Sequence, residues 1–312
     1  MREKTHLLRA VAVLVAMSCA AIAADAKTVK LEKDTKEKQI EVKIGDETFA
    51  VYNLSDKWPK PFAFPVYGPG EVVMTREIAI PGGKKVDHPH HKGIWVSIDE
   101  VNENKHWAEK SKIENVSVQI DKAEGNPAQM TLVNHWLNED GSPVLVESTQ
   151  ISIFANRLMV YDIHFKPLSK PATFGDTKEG LFGFRMVDSM RENETGKVVD
   201  SEGRNGTKEA WGKTADWVDY YGQVDGKTLG VTLMDSPDNF RPSRYHVRNY
   251  GLFSVSPFGE QAYAKQGAKL LTLKKGDELR LRYGLYIHEG DTKAAHVADV
   301  YQDFVKFAKS GK

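Results

Sequence analysis

A large antiparallel β-sandwich closed by one C-terminal helix is the fold this sequence predicts, and three observations predict it. Apolar residues recur with period two along most of the chain. Breaks of Gly, Asn, Asp and Pro, such as Glu124-Gly125-Asn126-Pro127 and Asp140-Gly141, separate those runs at short intervals. Helical spacing of apolar residues is found only near the chain's end. Strands joined by short turns, without crossover helices, belong to antiparallel sheets stacked on each other.

The N-terminus is read first and set apart. "MREKTHLLR" carries Arg2, Lys4 and Arg9 against Glu3, "AVAVLVAMSCAAIA" follows as an apolar core, and Ala21-Ile22-Ala23 has the small-x-small form of a signal peptidase site. This is a secretory signal over residues 1–23, with a second cleavage site after Ala26, and it is too short for a permanent anchor. A lipid anchor on Cys19 is disfavoured, because "VAMS" is a poor lipoprotein box. No long apolar run follows, so a soluble periplasmic or secreted protein without a membrane span is expected.

Cys19 is the single cysteine. Its loss with the signal excludes disulfides, thiolate catalysis and cysteine-zinc sites. The 43 basic and 43 acidic residues balance, and removal of the signal leaves a small acidic excess. Nothing favours nucleic acid or anionic lipid. A small-molecule or oligosaccharide ligand is the expected partner.

Residues 24–36, within the lysine-rich "KTVKLEKDTKEK", read as a polar leader, and 37–312 as a single sandwich domain. "QIEVKIGDETFAVYN" alternates Ile40, Val42 and Ile44, turns at Gly45-Asp46 and resumes with Phe49 and Val51, which is a hairpin. Strand-like runs follow in "EVVMTREIAI", "GIWVSIDEV", "ENVSVQID", "AQMTLVNHWLN", "VLVESTQISIF" and "RLMVYDIHFKPL". Later ones are "GLFGFRMV", "TLGVTLMD", "GLFSVSPF", "AKLLTL" and "DELRLRYGLYIH". Between them, 189–226 reads as a long Gly- and charge-rich loop holding Trp211, Trp217, Tyr220 and Tyr221, either an ordered binding wall or a seal on the sandwich's end. Asp291 or Thr292 can cap a helix over 292–309, with Val297, Tyr301, Phe304, Val305 and Ala308 as its apolar stripe.

Two stretches carry the chemistry. The first is "VDHPHHKGIW", where His88, His90 and His91 crowd one loop of a chain with 10 histidines. Pro89 favours extended backbone at His88, which places His88 and His90 on one side and His91 on the other. Proton transfer or hydrogen bonding to a ligand is the leading reading; metal ligation and a structural cluster are the alternatives. The cupin pattern fails, because Asp99 and Glu100 come too far after His90. A third ligand from His135, His164, His246 or His288 stays open.

The second is "RYHVRNY", where alternation places His246, Arg248 and Tyr250 on one face. A His, an Arg and a Tyr together can hold and polarise a carbonyl or carboxylate oxygen. Arg185 interrupts the apolar run "GLFGFRMV" and needs Asp188, Glu179 or an anionic ligand. His288, beside Glu289 at a strand end, is a weaker candidate. Trp95, Trp211 and Trp217 are candidate stacking surfaces. No Gly-x-Ser-x-Gly elbow, Walker loop or Rossmann fingerprint is present, which removes serine hydrolases and nucleotide enzymes.

The motifs "DHPHHKGIW", "ADWVDYYG", "RPSRYHVRNYGLFSVSPFG" and "YIHEGD" together resemble a bacterial secreted family labelled PmoA, also filed as a domain of unknown function. The resemblance runs from about Glu37 to Lys309. The methane oxygenase label is not carried over as an activity, since the methane monooxygenase subunit of that name is an integral membrane protein. The resemblance implies a galactose mutarotase-like supersandwich in bacteria that degrade glycans. Histidines and acids on the concave sheet of such folds carry out ring opening or proton abstraction.

The expected protein is therefore a periplasmic carbohydrate-active one, acting by histidine acid–base chemistry on a sugar or oxidised sugar derivative as an epimerase, lyase or glycoside-cleaving enzyme. His88, His90, His91 and His246 are the expected proton-transfer groups, with an imidazole titrating near neutrality. Arg185, Arg248, Tyr250, His288 and the tryptophans are expected to hold the ligand. The cofactor stays unknown, and a metal is an open alternative that is not favoured. A non-catalytic glycan-binding sandwich and a metal-dependent oxidoreductase are the two alternatives.

Overall fold

Alternation builds the strands as expected. Over Ala128–Leu137 every second side chain is buried, from Ala128 to Trp136, and its neighbours are half-buried. The hairpin Gln39–Ile44 and Glu47–Asn53 turns at Gly45, whose φ of +60° explains the glycine there. The computed structural model describes residues 27–80, 83 and 85–310, so the signal segment 1–23 and Cys19 lie outside the described residues.

Two large sheets, both with antiparallel pairings, face each other. The first is 10-stranded and runs Glu124–Gly125, Val29–Asp34, Gln39–Ile44, Glu47–Asn53, Phe62–Gly68, Ile94–Val96, Phe182–Arg185, Leu252–Ser256, Arg244–Val247, with Val72–Val73 paired to Phe62–Gly68. The second is 8-stranded: Lys197–Asp200, Trp217–Val224, Lys227–Asp235, Leu279–Glu289, Leu158–Pro167, Pro143–Ile153, Ala128–Leu137, Ile113–Lys122. A 4-stranded sheet joins Leu271–Leu273, Ala172–Phe174, Asp99–Val101 and Asn104–Lys105. The inner faces meet through Tyr52 and Tyr161, whose hydroxyls are 2.6 Å apart, and through the rings of Tyr161 and Phe182 with centroids 4.5 Å apart. Pleating sends the other side chains of each sheet outwards.

The helix Val297–Ser310 packs Val300, Tyr301, Phe304 and Ala308 onto Leu158, Val160 and Met234, on the outer face of the eight-stranded sheet. It starts later than residue 292. Asp291 instead caps a preceding turn through the Lys293 and Ala294 amides, and the Thr292 hydroxyl donates to Asp219 at 2.6 Å.

Three expectations are corrected. The polar leader is in part a strand: Val29–Asp34 pairs with Gln39–Ile44, and Val29 and Leu31 are buried between charged neighbours. "EVVMTREIAI" contributes the short strand Val72–Val73 and, beyond it, a single bridge from Thr75 to Met186, after which Arg76 reaches Asp87. The 189–226 stretch is no long loop, since it holds the strands Lys197–Asp200 and Trp217–Val224 and the short helix Thr207–Ala210.

Candidate functional site

The histidine loop turns where extended backbone was expected. The His91 amide donates to the His88 carbonyl at 2.9 Å, and His88 adopts the left-handed conformation with φ +44°. The turn lays the two rings face to face, 4.9 Å apart and 5° from parallel. Tyr250 stacks on the outer side of His88 at 4.9 Å and 5°, and Trp95 on the inner side of His91 at 5.5 Å and 12°. Four rings thus form a column from the surface into the protein. His90 stands edge-on to it, at 77° to His88 and 81° to His91.

Charged pairs fix this loop from below. Asp87 accepts from Arg76 and, at 3.0 and 3.2 Å, from Arg185, while His88 Nδ1 lies 3.0 Å away. Its partial burial works to raise its pKa; the His88 bond and the charges of Arg185 and Arg76 outweigh this and hold it down at about 2. On the other side, the buried Lys60 ammonium donates to the His90 carbonyl at 2.9 Å and to Glu109 at 2.7 Å. Lys92 donates to the Pro89 carbonyl at 2.9 Å and to both Glu109 oxygens at 2.5 and 2.6 Å. Desolvation lowers Lys60 to about 8 in spite of Glu109.

The second motif lies on the same face of the ten-stranded sheet. Trp95, Gly183, Ser254 and His246 stand directly opposite one another across four neighbouring strands. Gly183 is the gap in that row: a Cβ there would come within 2.6 Å of the Trp95 ring, which lies across the strand. One step along, Arg248 and Arg185 both place their guanidinium groups over the Tyr250 ring, at 5.5 and 5.1 Å. The loop and the His-Arg-Tyr row therefore meet at Tyr250.

His246 has a fixed tautomer. A carbonyl can only accept, so Nδ1 carries the proton and donates to the Lys178 carbonyl at 2.9 Å, and Nε2 has no partner. Burial lowers this imidazole to about 4. Burial followed by the Lys60 charge lowers His90 to about 4 as well, and His91 is pushed lower still by burial, His90 and Arg185. The expected titration near neutrality is thus corrected for these three: desolvation keeps them neutral. The Glu179 carboxylate, 2.9 Å from the Lys178 ammonium, acts electrostatically on His90, His246 and Tyr250 alike.

The expected site residues divide accordingly. His88, His90, Arg248 and Tyr250 reach the surface, whereas His246 is buried at the far end of the Trp95–Gly183–Ser254 row, with Trp211 beside it at 6.3 Å. Trp95 and His91 are each 2% exposed and Arg185 is fully buried, so they support the site without forming its surface. Arg185 pairs with Asp87 in place of Asp188 or Glu179. Two residues are corrected outright. Trp217 packs under the C-terminal helix. His288 lies on the outer face of the eight-stranded sheet, 2.9 Å from buried Asp219.

The metal reading loses one ligand pair, while His88 and His90 stand at 77° to each other. Imidazole lone pairs lie in the ring plane, so the parallel rings of His88 and His91 cannot converge on one ion. Among the described residues no three His, Cys, Asp or Glu side chains are grouped to hold a metal. Sequence reading missed Lys60, Glu109 and Tyr263 and gave Glu179 no role of its own. Tyr263 packs 6.0 Å from His246 and donates to the same Lys178 carbonyl at 3.0 Å.

The comparisons add a family and a likeness of fold. Residues 39–302 match the family described as "Family of unknown function (DUF6807)", and the chain belongs to it. A search of the curated proteins found no match. Among solved structures, the chain is similar to a galactose 1-epimerase from Lactobacillus acidophilus NCFM at 9% identity and TM-score 0.41, covering 85% of this chain and 100% of that one. An aldose epimerase homologue from C. elegans gives 8% identity and TM-score 0.40, over 85% of this chain and 100% of that one. A β-arabinopyranosidase gives 12% identity and TM-score 0.35, over 83% of this chain; the chain spans 40% of that protein. Among the described residues no helix is long and apolar enough to cross a membrane.

Proposed function

We propose that the surface formed by His88, His90, Glu179, Arg248 and Tyr250, with His246 at its floor, takes a saccharide or oxidised saccharide and moves a proton on it. One observation carries this reading: His246 Nε2 is a buried, neutral, unpartnered acceptor whose ring is held by the Lys178 carbonyl. A buried polar atom is normally hydrogen-bonded, so an open lone pair among charged groups marks a reactive position. The stacked rings of His88 and Tyr250 supply an apolar face edged with polar groups, which suits a sugar ring.

The chemistry follows from these parts. A sugar O–H, or a C–H next to a carbonyl, gives its proton to His246 Nε2. The electron pair stays on the substrate oxygen, directly or through the enolate. Arg248 is half-buried and pairs with no carboxylate among the described residues, which frees its guanidinium to hold that oxygen. Glu179 stabilises the imidazolium. Return of the proton to a different position or face completes the step.

A non-catalytic glycan binder is the second reading, favoured by the 2% exposure of His246. An NMR screen of oligosaccharides and keto-sugars separates the two. Product formation that is lost in both His90→Ala and His246→Ala supports the enzyme. Saturable binding without product supports the binder. Intact turnover of every responsive sugar in both variants removes the assignment. Export to the periplasm, as a secreted member of its family, belongs to the same proposal, and cell fractionation with N-terminal sequencing of the mature chain tests it.

A further inference from the structure

We propose that the saccharide taken by the histidine surface is an acidic one, a uronate whose carboxylate is held by the Arg248 guanidinium beside the Tyr250 ring. This rests on the reading above and narrows it to one substrate class.

Local backbone sets the geometry. The strand Arg244–Val247 ends immediately before Arg248, and the Gly251 amide donates to the Arg248 carbonyl at 3.0 Å, closing a turn that carries Arg248 and Tyr250 together. Gly251 takes the left-handed conformation this turn needs, with φ +88°. The Arg248 amide donates to the Leu252 carbonyl at 2.9 Å, and the Tyr220 hydroxyl donates to the Arg248 carbonyl at 3.4 Å. The backbone of Arg248 is therefore pinned, whereas its guanidinium rests only over the Tyr250 ring, 5.5 Å from the centroid.

The neighbouring charges are engaged with one another. Asp87 is shared by Arg76 and Arg185. Glu179, which also acts on Tyr250, lies 2.9 Å from the Lys178 ammonium. Asp188 and Glu194 lie 3.6 and 3.8 Å from Arg191. Among the described residues Arg248 has no carboxylate within ion-pair distance, and the Tyr250 hydroxyl has no hydrogen-bond partner. A half-buried guanidinium loses part of its hydration and keeps its full charge, so a group that only accepts is its best partner. A carboxylate is planar, fits the guanidinium fork and can take the Tyr250 hydroxyl as well. Held this way, it also makes the neighbouring C–H of a uronate removable. The proton leaves for an imidazole of the site, the electron pair spreads into the carboxylate, and the guanidinium holds the two oxygens as their charge grows. Return of the proton to the same carbon completes the step.

Calorimetry on the full chain tests this with digalacturonate, its dimethyl ester and α-1,4-galactobiose, which share a shape and differ in charge. Digalacturonate is expected to bind, and the ester and galactobiose about tenfold more weakly. Arg248→Gln should weaken digalacturonate about tenfold and abolish its advantage over the ester. Arg191→Gln, at a guanidinium that already meets two carboxylates, should leave that advantage in place. Equal binding of all three, or binding of galactobiose without digalacturonate, overturns the proposal and leaves the saccharide reading standing. An advantage of acid over ester that survives in Arg248→Gln, or inorganic sulfate that competes as well as digalacturonate, overturns it too. Binding of none of the three overturns the proposal, and the saccharide reading with it when the wider screen is also silent.

Discussion

The ring of His88 lies flat against that of Tyr250, 4.9 Å between centroids and 5° from parallel, joining two motifs far apart in the chain. Tyr250 also lies under two guanidinium groups, from Arg185 and Arg248. It is the point at which the histidine loop is held against the turn Arg248–Gly251, which ends the expected alternation because the strand stops at Val247.

Tyr250→Ala should therefore weaken saccharide binding about two- to tenfold, the worth of one aromatic pair, while Tyr250→Phe retains most of it. Titration followed by tryptophan fluorescence or NMR measures this. Equal losses in both variants would assign the effect to the hydroxyl and not to the stack.

Glu109 neutralises two buried ammonium groups at once. Glu109→Gln should lower the unfolding free energy by about 3–5 kcal/mol, since it strands buried charge. The double variant with Lys60→Met should recover part of that loss. Urea unfolding gives both values, and a single-variant loss under about 1 kcal/mol contradicts the ion-pair account.

Gly183→Ala should destabilise the fold by about 1–3 kcal/mol through overpacking. The added methyl would stand 2.6 and 2.7 Å from two atoms of the Trp95 ring, which is packed between His91 and Trp107 and has nowhere to move. Thermal unfolding and the near-ultraviolet signal of Trp95 report it. An unchanged melting temperature would contradict the contact.

Acid should unfold the protein earlier than its carboxylates alone require. His90 and His246 are lowered from 6.5 to about 4, so between those values the unfolded chain binds more protons than the folded one. Their contribution is fully present above pH 6.5 and is lost as pH falls towards 4. Urea midpoints at pH 7 and pH 5 should differ, and His246→Asn should shrink the difference. Midpoints independent of pH across that window contradict the buried, neutral state.

Much of this architecture is legible in the sequence, and the misses have physical reasons. The alternation of Ala128–Leu137 and the turn at Gly45 are local, so pattern alone finds them. Val29 and Leu31 also alternate, but surrounding lysines masked a strand whose other face is solvated. Trp217 and His288 were misplaced because period two says that side chains alternate and not which sheet face meets the ligand. Glu109 and Tyr263 carry no local motif; tertiary folding alone brings Glu109 to the loop and Tyr263 to His246. Desolvation, which lowers His90 and His246, is likewise a property of packing and has no signature in the residues' order.

The imidazole proton–nitrogen correlations of the ¹⁵N-histidine-labelled protein test the site most directly when recorded during titration with a responsive saccharide. His88, His90 and His246 should shift together along one saturation curve, and Tyr250→Ala should weaken all three responses in parallel. Shifts limited to the loop or to His246, or separate saturation curves for the two, would show that these groups do not share one binding surface.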